Sequence, residues 1–291
     1  MIVALQALLT LAGAMLAFAW SRLYRGDGAA RLSTIPTAIA VGSVTNFFDT
    51  LGIGSFAPTT ALVKFFRLTD DENLPGTLNV GHSLPTMAQA FVFITLIKVD
   101  AWLLVACIAS SVFGALWGAR VVSRLPVRAI RLGMGGALLI AALLFSARNL
   151  GLMPGGGDAI ALVGGAFALA VFLHLLFGAL MTLGIGLYAP SLISLSMLGM
   201  DPRAAFPIMM GACAFLMPAA SLQFIAVRRF DPRLALGLTF GGVPAVLIAA
   251  FIVKEMPLDL LRWLVSGVVL IAAMMLIASG LKETPAPVRE A

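Results

Sequence analysis

The sequence predicts an all-α polytopic membrane protein with an inverted-topology repeat of two halves. Each half is predicted to hold a broken or re-entrant helix hairpin followed by three spanning helices, and one extra span precedes them. Three observations lead to this fold class: the composition, a duplicated motif and the placement of charge. Hydrophobic residues make up 61% of the 291 residues and charged residues 11%, with a mean hydropathy of +1.05, whereas a soluble domain carries about 25% charged residues.

The duplicated motif reads TLGIGSFAP at 50–58 and TLGIGLYAP at 182–190. Glycines and a proline destabilise the interior of a helix, so each copy is predicted to divide an apolar run into two shorter helices. Paired breaks at matching places in two halves are the best sequence indication of a binding site between membrane repeats. Small residues that merely let helices pack closely are the alternative interpretation.

The first half begins with an apolar run long enough to cross a bilayer. We predict an uncleaved N-terminal span over 1–21, with a cleaved signal peptide as the alternative. The first repeat is predicted over 32–148. It contains the first broken hairpin, a polar and kinked span at about 74–97, a span from 101 to about 118 and a span that ends near 145.

The second half follows a glycine-rich linker predicted at 149–158. The inverted repeat is predicted over 159–281, with the second broken hairpin and spans at about 204–227, 234–253 and 258–279. A flexible cytoplasmic tail is predicted at 282–291. Matching residues support the duplication, because Pro75 and Pro207 are separated by 132 residues, and Arg131 and Arg262 by 131.

The lysines and arginines predict the orientation. If each broken segment enters and leaves on one side of the membrane, 14 of these residues lie on one face and five on the other. If each segment crosses once, the split is nine to ten. The positive-inside rule favours the first arrangement. We therefore expect a multi-pass protein of the cell (plasma or inner) membrane, with its N-terminus outside and its C-terminus in the cytoplasm. Charge does not separate re-entrant hairpins from fully spanning ones.

Each break places a helix N-terminus, with free amide donors and a partial positive charge, inside the membrane. Because helix N-termini bind anions, we expect the two breaks to converge on a small oxyanion. The predicted substrate-binding residues are Asn46, Asp49, Thr50, Gly52, Gly54, Ser55, Phe56, Ala57, Thr59, His82, Thr182, Gly184, Gly186, Leu187, Tyr188, Ala189 and Ser191.

Three ionisable residues in apolar runs have open interpretations. Asp49 is expensive to bury, which favours a binding or proton-coupling role over that of a structural cap. His82 could bind an anion or relay a proton, or be structural. His174, among apolar neighbours, is predicted to be structural.

Other residues are assigned to packing and topology. Gln89 and Gln223 are predicted to make interhelical hydrogen bonds. The cluster from Arg120 to Arg131 is predicted to set topology and contact lipid phosphate, with substrate exit as the alternative. The helix-packing glycines are predicted to be Gly133, Gly135, Gly136 and Gly267, with a dimer contact left open.

The sequence carries no H-E-x-x-H, G-x-S-x-G or Walker motif, so no enzyme and no cofactor are predicted. Cys107 and Cys213 lie in apolar runs without metal-type spacing. The net charge of +6 is attributed to cytoplasmic loops, so the expected partners are a small oxyanion and membrane lipid, not nucleic acid. An anion channel and, as a weaker alternative, an intramembrane enzyme using Asp49 and His82 remain the competing functions.

Two repeats that each begin with a glycine-rich hairpin ending in proline, with an arginine-rich loop between later spans, resemble the TauE/SafE family. The resemblance extends over nearly the whole chain, although the segment 49–55 is sparser in glycine than in many members. It implies a membrane exporter of small sulfur-containing anions such as sulfite or sulfoacetate. Transport would occur by alternating access, either facilitative or coupled to an ion gradient.

Overall fold

The computed structural model describes residues 2–24, 35–52, 54–70, 73–122, 127–152, 157–181 and 186–282. Within these ranges the chain forms helices and a single isolated β-bridge, between Ala159 and Met200. The predicted all-α class is therefore confirmed. Part of the predicted linker (153–156) and nearly all of the predicted tail (283–291) lie outside the described residues.

Eleven helices are formed by the described residues. They are α1 (Ile2–Tyr24), α2 (Ile35–Thr50), α3 (Phe56–Phe66), α4 (Leu74–Leu96), α5 (Ala101–Val122), α6 (Val127–Asn149), α7 (Gly164–Met181), α8 (Tyr188–Met197), α9 (Pro202–Ala226), α10 (Pro232–Glu255) and α11 (Leu258–Lys282). Five of them are long and apolar enough to cross a membrane: α1, α7, α9, α10 and α11. The protein is thus a multi-pass membrane protein.

The first motif copy interrupts a helix, since α2 ends at Thr50 and α3 begins at Phe56. Gly52 and Gly54 lie between them with φ of 97° and 89°, a left-handed conformation that glycine adopts without steric cost. At the second copy, α7 ends at Met181 and α8 begins at Tyr188. Residues 182–185, which include the predicted Thr182 and Gly184, lie outside the described residues.

The second arm of each hairpin is too short to cross a bilayer. α3 has 11 residues and α8 has 10, so at 1.5 Å per residue each is about 15 Å long. The hydrocarbon core of a membrane is about 30 Å thick. These two helices therefore reach only about halfway.

Each short helix folds back along the helix before it. In the first hairpin, Val63 near the end of α3 belongs to one buried cluster with Ala38 and Val41 in the first half of α2. In the second hairpin, the amide N–H of Asp201, just after α8, donates to the carbonyl oxygen of Ala159, just before α7, at 2.9 Å. The two arms of each hairpin are therefore antiparallel.

Two pairs of helices pack side by side in the same direction. α2 packs against α10, with Gly237 facing Ala38 and Gly242 facing Asn46. α5 packs against α7 in the same way, since the Ser110 hydroxyl donates to the Val171 carbonyl oxygen and Gly114 lies against Leu175. The glycines allow the backbones to approach closely, as small residues do in membranes.

Two further pairs pack in opposite directions. The hydroxyls of Ser83 on α4 and Ser221 on α9 lie 2.8 Å apart, and the rings of Phe93 and Phe206 stack at 5.2 Å further along. α6 and α11 are antiparallel too, because Arg131 bonds Ser279 at one end and Asn149 bonds Ser266 at the other. The five helices from α2 to α6 correspond in order to the five from α7 to α11. If each helix is replaced by its counterpart, the pair α2 and α10 becomes the pair α7 and α5, while the pairs α4 with α9 and α6 with α11 stay the same.

The glycines assigned to packing divide into two groups. A Cβ at Gly135 would lie 2.7 Å from Ile277 on α11, so this glycine does permit close helix packing. At Gly133, Gly136 and Gly267 a Cβ would meet nothing within 4 Å. These three positions face open space with respect to the described residues, so close helix packing there is not observed.

Candidate functional site: a cavity between the two helix breaks

Both helix breaks line the same cavity, which has a volume of about 170 Å³. The lining residues from the first break are Asp49, Gly54, Ser55 and Phe56, and those from the second are Gly186, Leu187, Tyr188, Ala189 and Pro190. A cavity of about 150 Å³ holds a molecule the size of benzene. The space therefore suits a ligand of a few non-hydrogen atoms.

Gln89 on α4 joins the two breaks through its side-chain amide. Its Nε2 donates to Asp49 Oδ2 at 2.8 Å and to Thr50 Oγ1 at 2.9 Å, at the end of α2. Its Oε1 accepts the hydroxyl of Tyr188, the first residue of α8, at 2.9 Å. Both amide hydrogens and the carbonyl oxygen are therefore engaged, which fixes the orientation of the amide.

The interhelical role predicted for Gln89 is confirmed, whereas Gln223 has an exposed side chain. That Gln89 connects the two motif copies was not predicted. A polar residue four positions after Pro85 on a buried helix was the available signal. Its partner Tyr188 lies 99 residues away, and that distance is bridged only by the tertiary fold.

His82 is buried behind the first break and holds α3 in place. The Asn46 amide group donates to the Gly42 carbonyl oxygen at 2.8 Å, so its Oδ1 is an acceptor for the N–H at His82 Nδ1, 3.0 Å away. His82 Nε2 lies 3.0 Å from the Thr59 hydroxyl oxygen. Both ring nitrogens therefore have a hydrogen-bond partner, which fixes the orientation of the ring.

His174 does the same for the second break, from a different helix. Its Nδ1 donates to the Ala170 carbonyl oxygen at 2.8 Å, and its Nε2 lies 2.8 Å from the Ser191 hydroxyl oxygen. Thr59 and Ser191 occupy equivalent places, each one residue after the motif proline. Two unrelated histidines therefore anchor the two short helices at the same point, and neither histidine lines the cavity.

The predicted site residues fall into three groups. Asp49, Gly54, Ser55, Phe56, Gly186, Leu187, Tyr188 and Ala189 line the cavity. Asn46, Thr50, Gly52, Thr59, His82 and Ser191 are buried behind it and support the breaks. Thr182, Gly184 and the side chain of Ala57 lie outside the described residues.

The first residues of α8 line the cavity. Leu187 precedes the helix without a side-chain capping bond, and the first backbone bond in the turn runs from Ser191 N–H to the Leu187 carbonyl oxygen at 3.0 Å. Pro190 has no N–H, so Tyr188 and Ala189 supply the remaining N–H groups of the first turn. Such a helix start is suited to an anion.

Arg131 also lines the cavity, although the sequence places it in the arginine cluster assigned to topology. Its Nη1 donates to Ser279 Oγ at 3.0 Å. Among the described lining residues, Arg131 and Asp49 carry the ionisable charges, while Leu138, Ala272, Met275 and Leu276 form an apolar wall. The signal that could have identified Arg131 was its position inside the apolar run, at the end of the cluster.

No three His, Cys, Asp or Glu side chains in the described parts of the chain lie close enough to hold a metal ion. Cys107 and Cys213 are buried free thiols, and Cys213 lines the cavity beside Met217. The sequence matches no family model, no curated protein and no solved structure.

Proposed function

We propose that the protein is a membrane transporter for a small anion, which binds in the cavity between the two helix breaks. The observation that carries this proposal is the meeting of both breaks at one cavity, with Gln89 bonded to each of them. Non-helical backbone is tolerated within a membrane where protein or a water-filled cavity surrounds it. A binding site accounts for two such breaks at one place.

The directions of the packed helices support an inverted repeat. If each hairpin returns to the face it entered from, α4 and α9 run oppositely, as do α6 and α11, while α2 runs parallel to α10 and α5 to α7. If each broken segment instead crossed once, α4 and α9 would run the same way. The observed contacts follow the first scheme, which the 14-to-five charge split also favours.

An inverted repeat provides a mechanism for transport. The two halves are equivalent in fold and opposite in orientation, so rocking one against the other opens the central site to alternate sides of the membrane. The backbone donors of Tyr188 and Ala189 and the guanidinium of Arg131 favour a negatively charged ligand. The carboxylate of Asp49 in the same cavity provides a group through which a proton could be coupled to the anion.

The substrate class follows from the sequence resemblance to the TauE/SafE family. It suggests sulfite, sulfoacetate or a related sulfur oxyanion, and export from the cytoplasm. The cavity wall formed by α6 and α11 extends from Leu138 and Ala272 to Arg131 and Ser279, near the ends of these helices that the charge distribution places in the cytoplasm. In that orientation the cavity extends towards the side from which an exported ligand would arrive.

Gly186→Leu tests the proposal. Gly186 lines the cavity and a Cβ there meets nothing within 4 Å, so a leucine would fill the site without displacing backbone. We expect sulfite flux into proteoliposomes to fall at least about 10-fold, the effect of losing roughly 1.4 kcal/mol of binding, while the melting temperature stays near that of the wild type.

Gly267→Leu is the matched control, since Gly267 is exposed on α11, also has open space, and does not line the cavity. Gly54 is less suitable because its φ of 89° strains any side chain. If Gly186→Leu leaves sulfite flux unchanged, the cavity is not part of the transport route. Single-channel currents from the reconstituted wild type would assign the same cavity to an anion channel.

A further inference from the structure

We propose that Arg131 and Ser279 form a recruiting site for the anion at the cytoplasmic end of the cavity, before the ligand reaches the two helix breaks. This inference rests on the proposed transport function. It assigns to Arg131 a role in substrate binding, in addition to the topology role that its cluster has in the sequence.

The geometry places this pair at one end of the cavity. Leu138 is the middle residue of α6, and Arg131 lies seven residues closer to the start of that helix. On the antiparallel α11, Ser279 lies seven residues beyond Ala272, so the lined wall is about 10 Å long on both helices. The cavity therefore extends from the middle of the two helices towards their cytoplasmic ends, where Arg131 and Ser279 are bonded to each other.

The chemistry of the pair suits an oxyanion. A guanidinium offers a planar set of N–H donors that can bind two oxygens at once, and its charge does not depend on pH in the physiological range. The Ser279 hydroxyl accepts one of these N–H groups and has its own hydrogen to donate. The surrounding wall of Leu138, Met275 and Leu276 is apolar, which strengthens the attraction between the guanidinium and an anion.

The second half of the chain supplies a natural comparison. Arg262, the counterpart of Arg131 at an offset of 131 residues, bonds Asp158 at 3.2 Å and lies 3.7 Å from Asp259. It does not line the cavity. Among the described residues, an arginine therefore lies on the cavity wall in the first half and not in the second, and the recruiting site belongs to one face of the membrane.

The test is the concentration dependence of sulfite flux in proteoliposomes for wild type, Arg131→Gln, Arg131→Lys and the control Arg262→Gln. Loss of a hydrogen-bonded charge at a binding site weakens binding about 10- to 100-fold. We expect Arg131→Gln to raise KM by that factor with a smaller change in kcat. Arg131→Lys should raise KM less, because the charge remains while the planar fork is lost. Arg262→Gln should leave KM within about twofold.

Ionic strength gives a second readout, because salt weakens the attraction between an anion and a charge that is partly accessible to solvent. KM of the wild type should rise with added sodium gluconate more steeply than KM of Arg131→Gln. If Arg131→Gln keeps the wild-type KM while Gly186→Leu abolishes flux, the recruiting site is wrong and the proposed function stands. If the wild type carries no sulfite at all, the proposed function fails by itself.

A thermal-shift titration of the same proteins in detergent separates a free anion from a lipid headgroup. Sulfite should raise the melting temperature of the wild type more than that of Arg131→Gln, since a ligand that binds the folded state stabilises it. Stabilisation of the wild type by added phosphatidylglycerol, but not by sulfite or sulfate, would show that Arg131 holds a lipid phosphate. That result would overturn the proposal.

Discussion

Gln89→Leu should uncouple the two helix breaks. The leucine removes the donor to Asp49 Oδ2 and the acceptor of the Tyr188 hydroxyl, while Thr50 keeps its bond to the Asn46 carbonyl oxygen. Asp49 keeps its hydrogen bonds from Ser55, and the Tyr188 hydroxyl keeps its contact with Thr86. The cost is therefore that of two lost hydrogen bonds, about 0.5–1.5 kcal/mol each and about 1–3 kcal/mol together. The melting temperature should fall by at least about 2 °C, and sulfite flux should fall with it.

A double-mutant cycle with Tyr188→Phe distinguishes this explanation from a general packing defect. In the Gln89→Leu background the hydrogen bond between Gln89 and Tyr188 is already absent, so removal of the Tyr188 hydroxyl should cost less than in the wild type. We expect a coupling of at least about 0.5 kcal/mol between the two changes. If the losses of stability in the two single variants simply add in the double variant, Gln89 does not connect the two breaks through Tyr188. Gln223→Leu on the neighbouring α9 is the control, since that side chain is exposed.

Two further predictions concern the fold. Leu150 and Val227 are each 64% exposed. Cysteines introduced at these two positions should react with a membrane-impermeant maleimide from opposite sides of the membrane, and Leu150→Cys should react from outside. Labelling of both cysteines from the same side would contradict the inverted repeat. Gly241→Ala should destabilise the protein by roughly 1–3 kcal/mol, because its Cβ would lie 2.0 Å from the Ile39 carbonyl oxygen on α2; Gly267→Ala, with open space, should change the melting temperature little.

Several features of the fold could be predicted because they depend on local sequence. The apolar runs fixed most helices, since a chain in a bilayer must satisfy its backbone groups within each segment. The breaks at the motif copies followed from the glycines and from a proline three residues into the next helix, at Pro58 and Pro190. The length of α3 and α8, which charge could not decide, became evident only in the folded chain.

The site was predicted only in part, for a physical reason. A helix break can be recognised in a sequence by residues that disfavour helix. Gly54, Ser55, Gly186 and Tyr188, which lie at or beside the two breaks, were therefore predicted as site residues. Residues that support a break from behind cannot be recognised from the neighbouring sequence. Thr59 and His82 lie 23 residues apart and meet only because α3 folds back against α4; from sequence, His82 looked equally suited to line the cavity.

The sequence by itself determined that the chain lies in a membrane and where its helices break, because composition and the placement of glycine and proline act locally. Only the tertiary structure decided that the two breaks meet, that Gln89 joins them and that Arg131 reaches their cavity. These outcomes depend on contacts between side chains distant along the chain, such as Gln89 and Tyr188 at 2.9 Å. Packing of helices, which no local pattern encodes, brings such residues together.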